Sequence, residues 1–260
     1  MVERSQRGKG KQKLLGSHQK CWIWGKHVVL ETLRCGKWLP LQLHLSDQLS
    51  TDQTHETIRL AERLSVPVKV ESANRLKQLC KSSEHQGYLA KMPPYPYDDA
   101  DELLSTRRDQ PFYVVLDSIQ DPYNFGAILR CADVMGVDAV FVHEKQQVDV
   151  TSLVTRTSAG AVNHVFLSRV PDLCELVRRL QSLKIEVVAA HEKAEKNVSE
   201  CDLHGPMAIV IGNEGTGIDD DLLNLCDQQV TIPQYGHVES LNAAVSTGIL
   251  LYEVRRQRSD

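Results

Sequence analysis

Three short polar segments between residues 117 and 242 each follow an expected strand, and their residue types suit ligand binding. The first follows the run YVVL and contains Asn124 and Arg130, six residues apart. At just under two helical turns, this spacing allows both side chains to project from one end of a helix toward the carboxyl edge of a sheet, where open α/β folds bind ligands. A helix-capping asparagine and a solvent-exposed arginine are the alternative interpretation.

The second segment is the glycine-rich loop GNEGTG at residues 212–217. It follows the apolar run MAIVI and carries Glu214. Glycine permits close backbone approach and positive φ, which leaves backbone N–H groups available to a ligand. The loop therefore predicts a ligand cradle with an embedded carboxylate, or alternatively a simple tight turn.

The third segment, IPQYGHVESLN at residues 232–242, leads into the last stretch of the chain. Pro233 and Gly236 interrupt the strand pattern, and Ser240 and Asn242 stand where a helix is expected to begin. Hydroxyl and amide side chains at a helix N-terminus bind anions or amides, or they only cap the helix. We expect this helix to span Ser240–Arg258.

The elements that must position these segments alternate between strand and helix. Continuous apolar runs are typical of strands buried on both faces, so the pattern predicts an α/β fold with a mostly parallel sheet. The expected strands are Phe112–Leu116, Asp138–Val142, His164–Leu167, Ile185–Ala190, Met207–Ile211 and Gln229–Ile232. Neither G-x-G-x-x-G nor the P-loop motif is present, so an ordinary nucleotide-binding turn is not indicated.

Charge is distributed unevenly along the 260 residues. Residues 1–95 hold 16 basic and 8 acidic side chains, whereas residues 96–260 hold 14 and 26. Such asymmetry is typical of a chain in which one part binds a polyanion, although a basic tail on an ordinary enzyme gives the same balance.

The remaining composition is that of a globular protein. No apolar run reaches the length of a membrane span, and no apolar segment follows the basic N-terminus as in a secretory signal. The seven scattered cysteines contain no C-x-x-C pair, and His143, His191 and Cys131 have no partner at metal-ligand spacing. We therefore expect a cytoplasmic protein with neither a metal nor a membrane partner.

Breaks in the pattern divide the chain into four segments. Residues 1–20 are polar and basic and predict a flexible arm. Residues 21–92 predict a small α/β domain, residues 93–110 a linker whose prolines do not sustain regular structure, and residues 111–260 the second domain. The elements expected in the small domain are helices at Gly25–Cys35, Gln53–Leu64 and Ala73–Cys80 and strands at Leu41–Leu45, Val66–Val70 and Gly87–Ala90.

In their order along the chain, the three segments closely resemble the motifs of the SpoU/TrmH family of RNA 2'-O-ribose methyltransferases. The matching patterns are N-x-x-x-x-x-R, GNEGTG and I-P-x-x-G-x-x-E-S-L-N, and RTSAGA at 156–161 is similar to a further family segment. In the first domain, GKHVVLETL at 25–33 and HQGYLA at 85–90 resemble the two ends of a ribosomal-protein-like RNA-binding domain. That small domain occurs in family members that act on 23S rRNA guanosine.

The resemblance implies S-adenosylmethionine as cofactor, a homodimer and a C-terminal trefoil knot in a SPOUT-like fold. It also implies methyl transfer to a ribose 2'-hydroxyl of structured RNA, with a 23S rRNA guanosine favoured. A tRNA ribose methyltransferase and a non-catalytic RNA-binding or ribosome-assembly protein are the alternatives. The small N-terminal domain favours rRNA over tRNA.

Residue roles follow from the resemblance position by position. The implied catalytic residues are Asn124, Arg130, Glu214, Ser240 and Asn242, and the implied cofactor-binding residues are Gly212, Ile232 and Leu241. Arg130 matches the position credited with activating the ribose hydroxyl. Because a guanidinium is a poor base, we expect Arg130 to stabilise the developing alkoxide and a neighbouring phosphate. Gln234 and Tyr235 depart from the commoner family residues and bear on the wall of the cofactor pocket.

Overall fold

The computed structural model describes residues 22–106, 108–237 and 240–259, and these residues form two sheets. The first sheet has four strands and belongs to a small N-terminal unit, and the second has seven strands. The basic arm expected over residues 1–20 lies outside the described residues, as does Cys21 at the start of the expected first domain.

The small unit is a mixed sheet with helices on both faces. Its strands are β1 (Trp22–Trp24), β2 (Gln42–Ser46), β3 (Val68–Glu71) and β4 (Tyr88–Lys91), in the order β1-β4-β2-β3. Its helices are α1 (Lys26–Cys35), α2 (Thr51–Arg63) and α3 (Ala73–Cys80). β2 and β3 pair in parallel, and the other two pairs are antiparallel. β1 is a strand that the sequence pattern did not predict.

The larger sheet is parallel at every strand pair. Its strands are β5 (Phe112–Leu116), β6 (Ala139–His143), β7 (Leu167–Val170), β8 (Glu186–Ala190), β9 (Lys196–Asn197), β10 (Met207–Ile211) and β11 (Gln228–Thr231). They are ordered β7-β6-β5-β10-β8-β11-β9, and all six neighbouring pairs run parallel. The α/β class with a mostly parallel sheet is therefore confirmed.

Helices cover both faces of this sheet. They are α4 (Ala100–Ser105), α5 (Pro122–Val134), α6 (Ser152–Thr157), α7 (Leu173–Ser182), α8 (Asp220–Leu225) and α9 (Ala243–Arg258). All five residues of β5 and of β10 are buried, and alternate side chains enter two separate apolar clusters. In β5, Val114 packs into one cluster and Val115 into the other. This two-sided burial is the reason why the strand sequences are continuously apolar.

Several expected boundaries differ in the structure. The strand expected at His164–Leu167 lies at Leu167–Val170, because Gly160 has a φ of 90° and a 3-10 turn follows at Ala161–Asn163. The last helix begins at Ala243, not at Ser240. The expected linker contains α4, which forms because Asp99 Oδ1 accepts hydrogen bonds from two backbone N–H groups of its first turn. The trefoil knot stays a prediction.

The small unit packs against the large one through α1 and the segment that follows α6. Asn163 Nδ2 donates to Thr32 Oγ1 at 3.2 Å, and Cys35 Sγ donates to the carbonyl oxygen of Asn163 at 2.9 Å. His164 Nε2 lies 2.8 Å from Glu31 Oε1. The RTSAGA run identified in the sequence thus leads directly into the contact between the two units.

Candidate functional site

A cleft of about 420 Å³ opens at the carboxyl edge of the large sheet. Its walls are the loops that follow β8, β10 and β11, together with the first turn of α9 and the residues just before it. This is the edge at which open α/β sheets bind ligands. Five of the residues predicted from the sequence line the cleft, namely Gly212, Glu214, Ile232, Ser240 and Leu241.

The glycine-rich loop owes its shape to Asn213. Its backbone exchanges two hydrogen bonds with Gly217, N to O at 2.8 Å and O to N at 3.0 Å. Its side-chain Oδ1 accepts from the backbone N–H groups of Gly215 and Thr216, and its Nδ2 donates to the carbonyl oxygen of Ser118 at 2.6 Å. Sequence analysis did not select Asn213, although asparagine is a common organiser of tight turns.

Gly212 stands where no side chain fits. A Cβ atom at this position would lie 2.3 Å from the carbonyl carbon of Gly217 and 2.4 Å from the backbone nitrogen of Ile218. Both are backbone atoms and cannot swing aside. Because Gly212 has no side chain, the backbone at the start of the loop can pack directly against the backbone at Gly217 and Ile218. This packing forms the floor of the cleft.

Next to the cleft, three predicted side chains form one hydrogen-bonded chain, which we call the polar bridge (Asn242, Asn124 and Glu214). Asn124 Nδ2 donates to Glu214 Oε1 at 2.8 Å, and Asn242 Nδ2 donates to Asn124 Oδ1 at 2.9 Å. A carboxylate only accepts hydrogen bonds, so Glu214 fixes the orientation of the Asn124 amide. The bridge joins α5, the glycine loop and α9, which are distant in sequence.

The residues that cap α5 and α9 are not the ones that the sequence suggested as alternatives. Asp121, not Asn124, caps α5, and Asn124 is the third residue of that helix. Asn242, not Ser240, caps α9, with Oδ1 accepting from the backbone N–H groups of Ala244 and Val245. Ser240 is thereby left in the wall of the cleft.

Arg130 lies apart from the other predicted residues. It is exposed on α5, does not line the cleft, and forms neither a hydrogen bond nor an ion pair with the residues that the structure describes. It shares a helix face with two exposed apolar residues. Tyr123 lies seven residues before it and is 60% exposed, and Val134 lies four residues after it and is 72% exposed. Within one chain, the structure does not bring Arg130 to the polar bridge.

His191 is a cleft residue that sequence analysis considered only as a metal ligand, without a partner at metal-ligand spacing. It follows β8 and lines the cleft, and its Nδ1 atom is shielded from solvent without a hydrogen-bond partner among the described residues. Its backbone N–H donates to the carbonyl oxygen of Val230 at 2.9 Å, which holds it between β8 and β11. Its position directly after a parallel strand was the signal that could have identified it.

The described ranges contain neither a metal site nor a membrane-spanning helix. Within residues 22–106, 108–237 and 240–259, no three His, Cys, Asp or Glu side chains lie together in a way that could hold a metal ion. Across the same ranges, every helix is too short or too polar to cross a membrane.

Comparisons with known proteins agree with the residue pattern of the cleft. The profile of the SpoU rRNA Methylase family matches residues 111–252, and the profile named RNA 2'-O ribose methyltransferase substrate binding matches residues 22–98. Together these two matches include every strand of both sheets.

Relatives in other organisms match over nearly the whole chain. The 23S rRNA (guanosine-2'-O-)-methyltransferase RlmB of Shewanella oneidensis is 35% identical over 91% of this chain and 97% of its own. YacO of Bacillus subtilis, named for the TrmH family of tRNA/rRNA methyltransferases, is 32% identical over 94% of this chain and 98% of its own.

A solved structure shows the same architecture. The SpoU methyltransferase AviRb from Streptomyces viridochromogenes, in complex with the cofactor AdoMet, superimposes with a TM-score of 0.80 at 26% identity. The match covers 92% of this chain and 90% of that one. The family expected from the three motifs is confirmed, and this chain belongs to the SpoU/TrmH family of RNA methyltransferases.

Proposed function

We propose that this protein transfers a methyl group from S-adenosylmethionine to a ribose 2'-hydroxyl of structured RNA, with a 23S rRNA guanosine as the favoured target. The observation that carries the proposal is the polar bridge beside a cleft floored by the glycine loop. A cytoplasmic location, where ribosomal RNA and the methyl donor are both present, is part of the proposal.

The cleft fits the methyl donor in size and chemistry. About 420 Å³ lies within the range of small-molecule sites. Ile211, Ile232 and Leu241 supply apolar walls for a nucleoside, and the Gly212 backbone allows close approach without a side chain. S-adenosylmethionine supplies a methyl group on a sulfonium sulfur, which is already a strong electrophile. What the protein must add is the position of the hydroxyl group and the stabilisation of its alkoxide.

The polar bridge is suited to holding the ribose. Glu214 and Asn124 together offer acceptor and donor atoms at the edge of the cleft, and Ser240, which also lines the cleft, adds a hydroxyl. Arg130 is suited to charge stabilisation, because a guanidinium stays protonated and can contact the alkoxide and a phosphate together. We assign the hydroxyl proton to phosphate or water.

A homodimer is the second part of the proposal, and exposed apolar residues support it. On α9, Val245, Ile249 and Tyr252 lie at helical spacing and are all exposed, Val245 by 51%. The stripe on α5 that contains Arg130 is also exposed, and α5 packs on α9. A second copy that covers these stripes would bury the apolar surface and could bring Arg130 to the cleft of its partner.

The assay that tests the proposal uses unmodified transcripts of 23S rRNA and of tRNA with methyl-labelled S-adenosylmethionine. We expect label in 2'-O-methylguanosine from 23S rRNA after digestion to nucleosides, and none with a Gly212→Ala variant. Label on a base, or none on either RNA, would reject the proposal. Label on tRNA alone would instead identify the protein as a tRNA ribose methyltransferase.

A non-catalytic RNA-binding protein of the same fold is the competing class. A non-catalytic protein needs no cofactor. Calorimetry with S-adenosylhomocysteine therefore distinguishes it from a methyltransferase. Binding in the micromolar range supports the enzyme, whereas RNA binding without nucleoside binding supports the competitor.

A further inference from the structure

Positive charge in the small unit is concentrated in one short stretch. Residues 69–81 hold four basic side chains and one acidic side chain, while the rest of residues 22–95 holds six of each. The excess positive charge of the described part of this unit therefore falls on β3 and α3. The four residues, which we call the α3 basic face, are Lys69, Arg75, Lys77 and Lys81.

All four charges of this face lie at the surface of the small unit. All four side chains belong to exposed residues, and none forms an ion pair with a residue that the structure describes. The one acid of the stretch, Glu71, is engaged by His44 at 2.6 Å. The Arg75 guanidinium donates a hydrogen bond to Gln78, a neutral side chain, at 3.5 Å.

The geometry places the four charges on the same side of the small sheet. Lys69 is opposite His44 in the β2–β3 register, and His44 contacts Trp22 on the face that α3 covers. Lys77 is exposed on α3, and Lys81 directly follows the last residue of that helix. Four exposed basic side chains, with the one nearby acid of the stretch paired to His44, suit an anionic partner.

The segment that follows α3 contacts the unit that carries the candidate site. Glu84, shortly after α3, pairs with Arg156 at 2.6 Å, and the Arg156 guanidinium carbon lies 5.7 Å from the centre of the Trp24 ring. The adjacent Thr157 has its Oγ1 3.2 Å from the carbonyl oxygen of Pro122, two residues before Asn124. These contacts join the unit that carries the α3 basic face to the start of α5, the helix that carries Asn124.

We propose that the α3 basic face binds the phosphate backbone of the RNA substrate and thereby fixes the target ribose at the cleft. This inference rests on the proposed function and adds the surface that captures the substrate. Lysine and arginine contacts to phosphate release counterions, so the affinity they supply depends steeply on salt. The basic side chains elsewhere in the unit are balanced by acids and supply no comparable field.

The test compares two triple variants that lose the same charge. Arg75→Gln, Lys77→Gln and Lys81→Gln neutralise the α3 basic face, and Arg34→Gln, Arg59→Gln and Arg63→Gln neutralise exposed arginines of α1 and α2. RNA affinity is measured by filter binding at several salt concentrations, together with KM for RNA, kcat and affinity for S-adenosylmethionine.

We expect the α3 variant to raise KM for RNA at least tenfold, with kcat at saturating RNA and cofactor affinity unchanged. The slope of log affinity against log salt should fall by about 2 to 3, as for three lost phosphate contacts. The control variant should stay within about twofold of wild type in both affinity and slope.

Equal RNA affinity of the two variants would overturn the inference. Loss of binding to vesicles of phosphatidylserine, with RNA binding intact, would also overturn it and would point to a membrane surface. The proposed function is rejected by a different result, namely that the wild-type protein methylates no RNA. In that case filter binding still tests whether the α3 basic face binds RNA.

Discussion

Asn242 links helix capping to the candidate site through its contact with Asn124. Its Oδ1 accepts hydrogen bonds from the first backbone N–H groups of α9, and its Nδ2 donates to Asn124 Oδ1 at 2.9 Å. Because the same amide group serves both purposes, the position of α9 and the orientation of Asn124 are coupled. Glu214, which accepts from Asn124, completes this coupling across the cleft edge.

Asn242→Asp separates the two roles of this residue. Aspartate keeps the capping oxygen and suits the helix N-terminus, but it lacks the N–H donor that Asn124 requires. We expect thermal unfolding close to that of wild type and methyl transfer reduced at least about tenfold, since one positioning hydrogen bond is lost. Turnover at the wild-type rate would show that the polar bridge does not position the substrate.

Asn242→Ala is the matched comparison for that variant. It removes the cap as well as the donor, so the free energy of unfolding should fall by about 1 kcal/mol in addition to the loss of activity. Urea denaturation of the two variants measures this difference.

Gly212→Ala should damage the cofactor cleft and the fold together. The added Cβ would collide with backbone atoms of Gly217 and Ile218, so the loop must open. We expect the free energy of unfolding to fall by about 1–3 kcal/mol, and the Kd for S-adenosylhomocysteine to rise at least about tenfold.

Gly215→Ala in the same loop provides the control. Its Cβ would meet only Asn213 Oδ1 at an ordinary 3.5 Å, and its φ is not positive. Calorimetry should give cofactor affinity near that of wild type. If Gly212→Ala binds as tightly as Gly215→Ala, then the close approach at Gly212 is not needed for the cleft.

The sheet was largely predictable because local sequence determines it. β5 and β10 are apolar at every position, and a strand buried on both faces needs nothing else to be recognised. β7 was misplaced by three residues because the apolar run after His164 resembles a strand. The turn that delays it depends on Gly160 and on the Asn163 side chain, which bonds back to the Gly160 carbonyl.

Most members of the candidate site were predictable, although Asn213 and His191 were missed, but the contacts between its members were not predictable. Glu214 and Asn242 are 90 and 118 residues from Asn124, so their hydrogen bonds depend on topology that no local pattern encodes. For the same reason, sequence spacing suggested that Arg130 and Asn124 act from one end of a helix. The structure places Arg130 on an exposed face of α5, away from the cleft.

Arg130→Lys should lower methyl transfer by about 100-fold or more. Lysine keeps the charge but loses the planar fork that can contact an alkoxide and a phosphate together. Because Arg130 does not line the cleft, affinity for S-adenosylhomocysteine should be unchanged. Near-normal turnover would refute the assigned role.

Co-expression of Arg130→Ala and Gly212→Ala chains tests whether Arg130 serves the partner subunit. Each chain alone should be inactive. If Arg130 acts across the dimer, mixed dimers contain one cleft with an intact Gly212 and an intact Arg130, and total activity should recover to about a quarter of wild type. No recovery in purified mixed dimers would place Arg130 at the cleft of its own chain.

His85 should make the protein less stable in mild acid. Burial and the nearby positive charge of Lys77 lower the pKa of His85 below its usual value, and its Nδ1 accepts a hydrogen bond from the Gly87 N–H at 3.1 Å. As pH falls through the ordinary histidine pKa of about 6.5, the unfolded chain binds a proton at this site before the folded chain does. The free energy of unfolding therefore decreases below that pH and levels off once the folded form is also protonated.

His85→Asn keeps an acceptor for Gly87 and removes the titration, so its free energy of unfolding in urea should change less between pH 7.5 and 5.5 than that of wild type. His55→Asn, at an exposed position of α2, is the control and should follow the wild-type pH dependence. An equal decline in the His85 variant and wild type would show that this histidine does not govern the acid sensitivity.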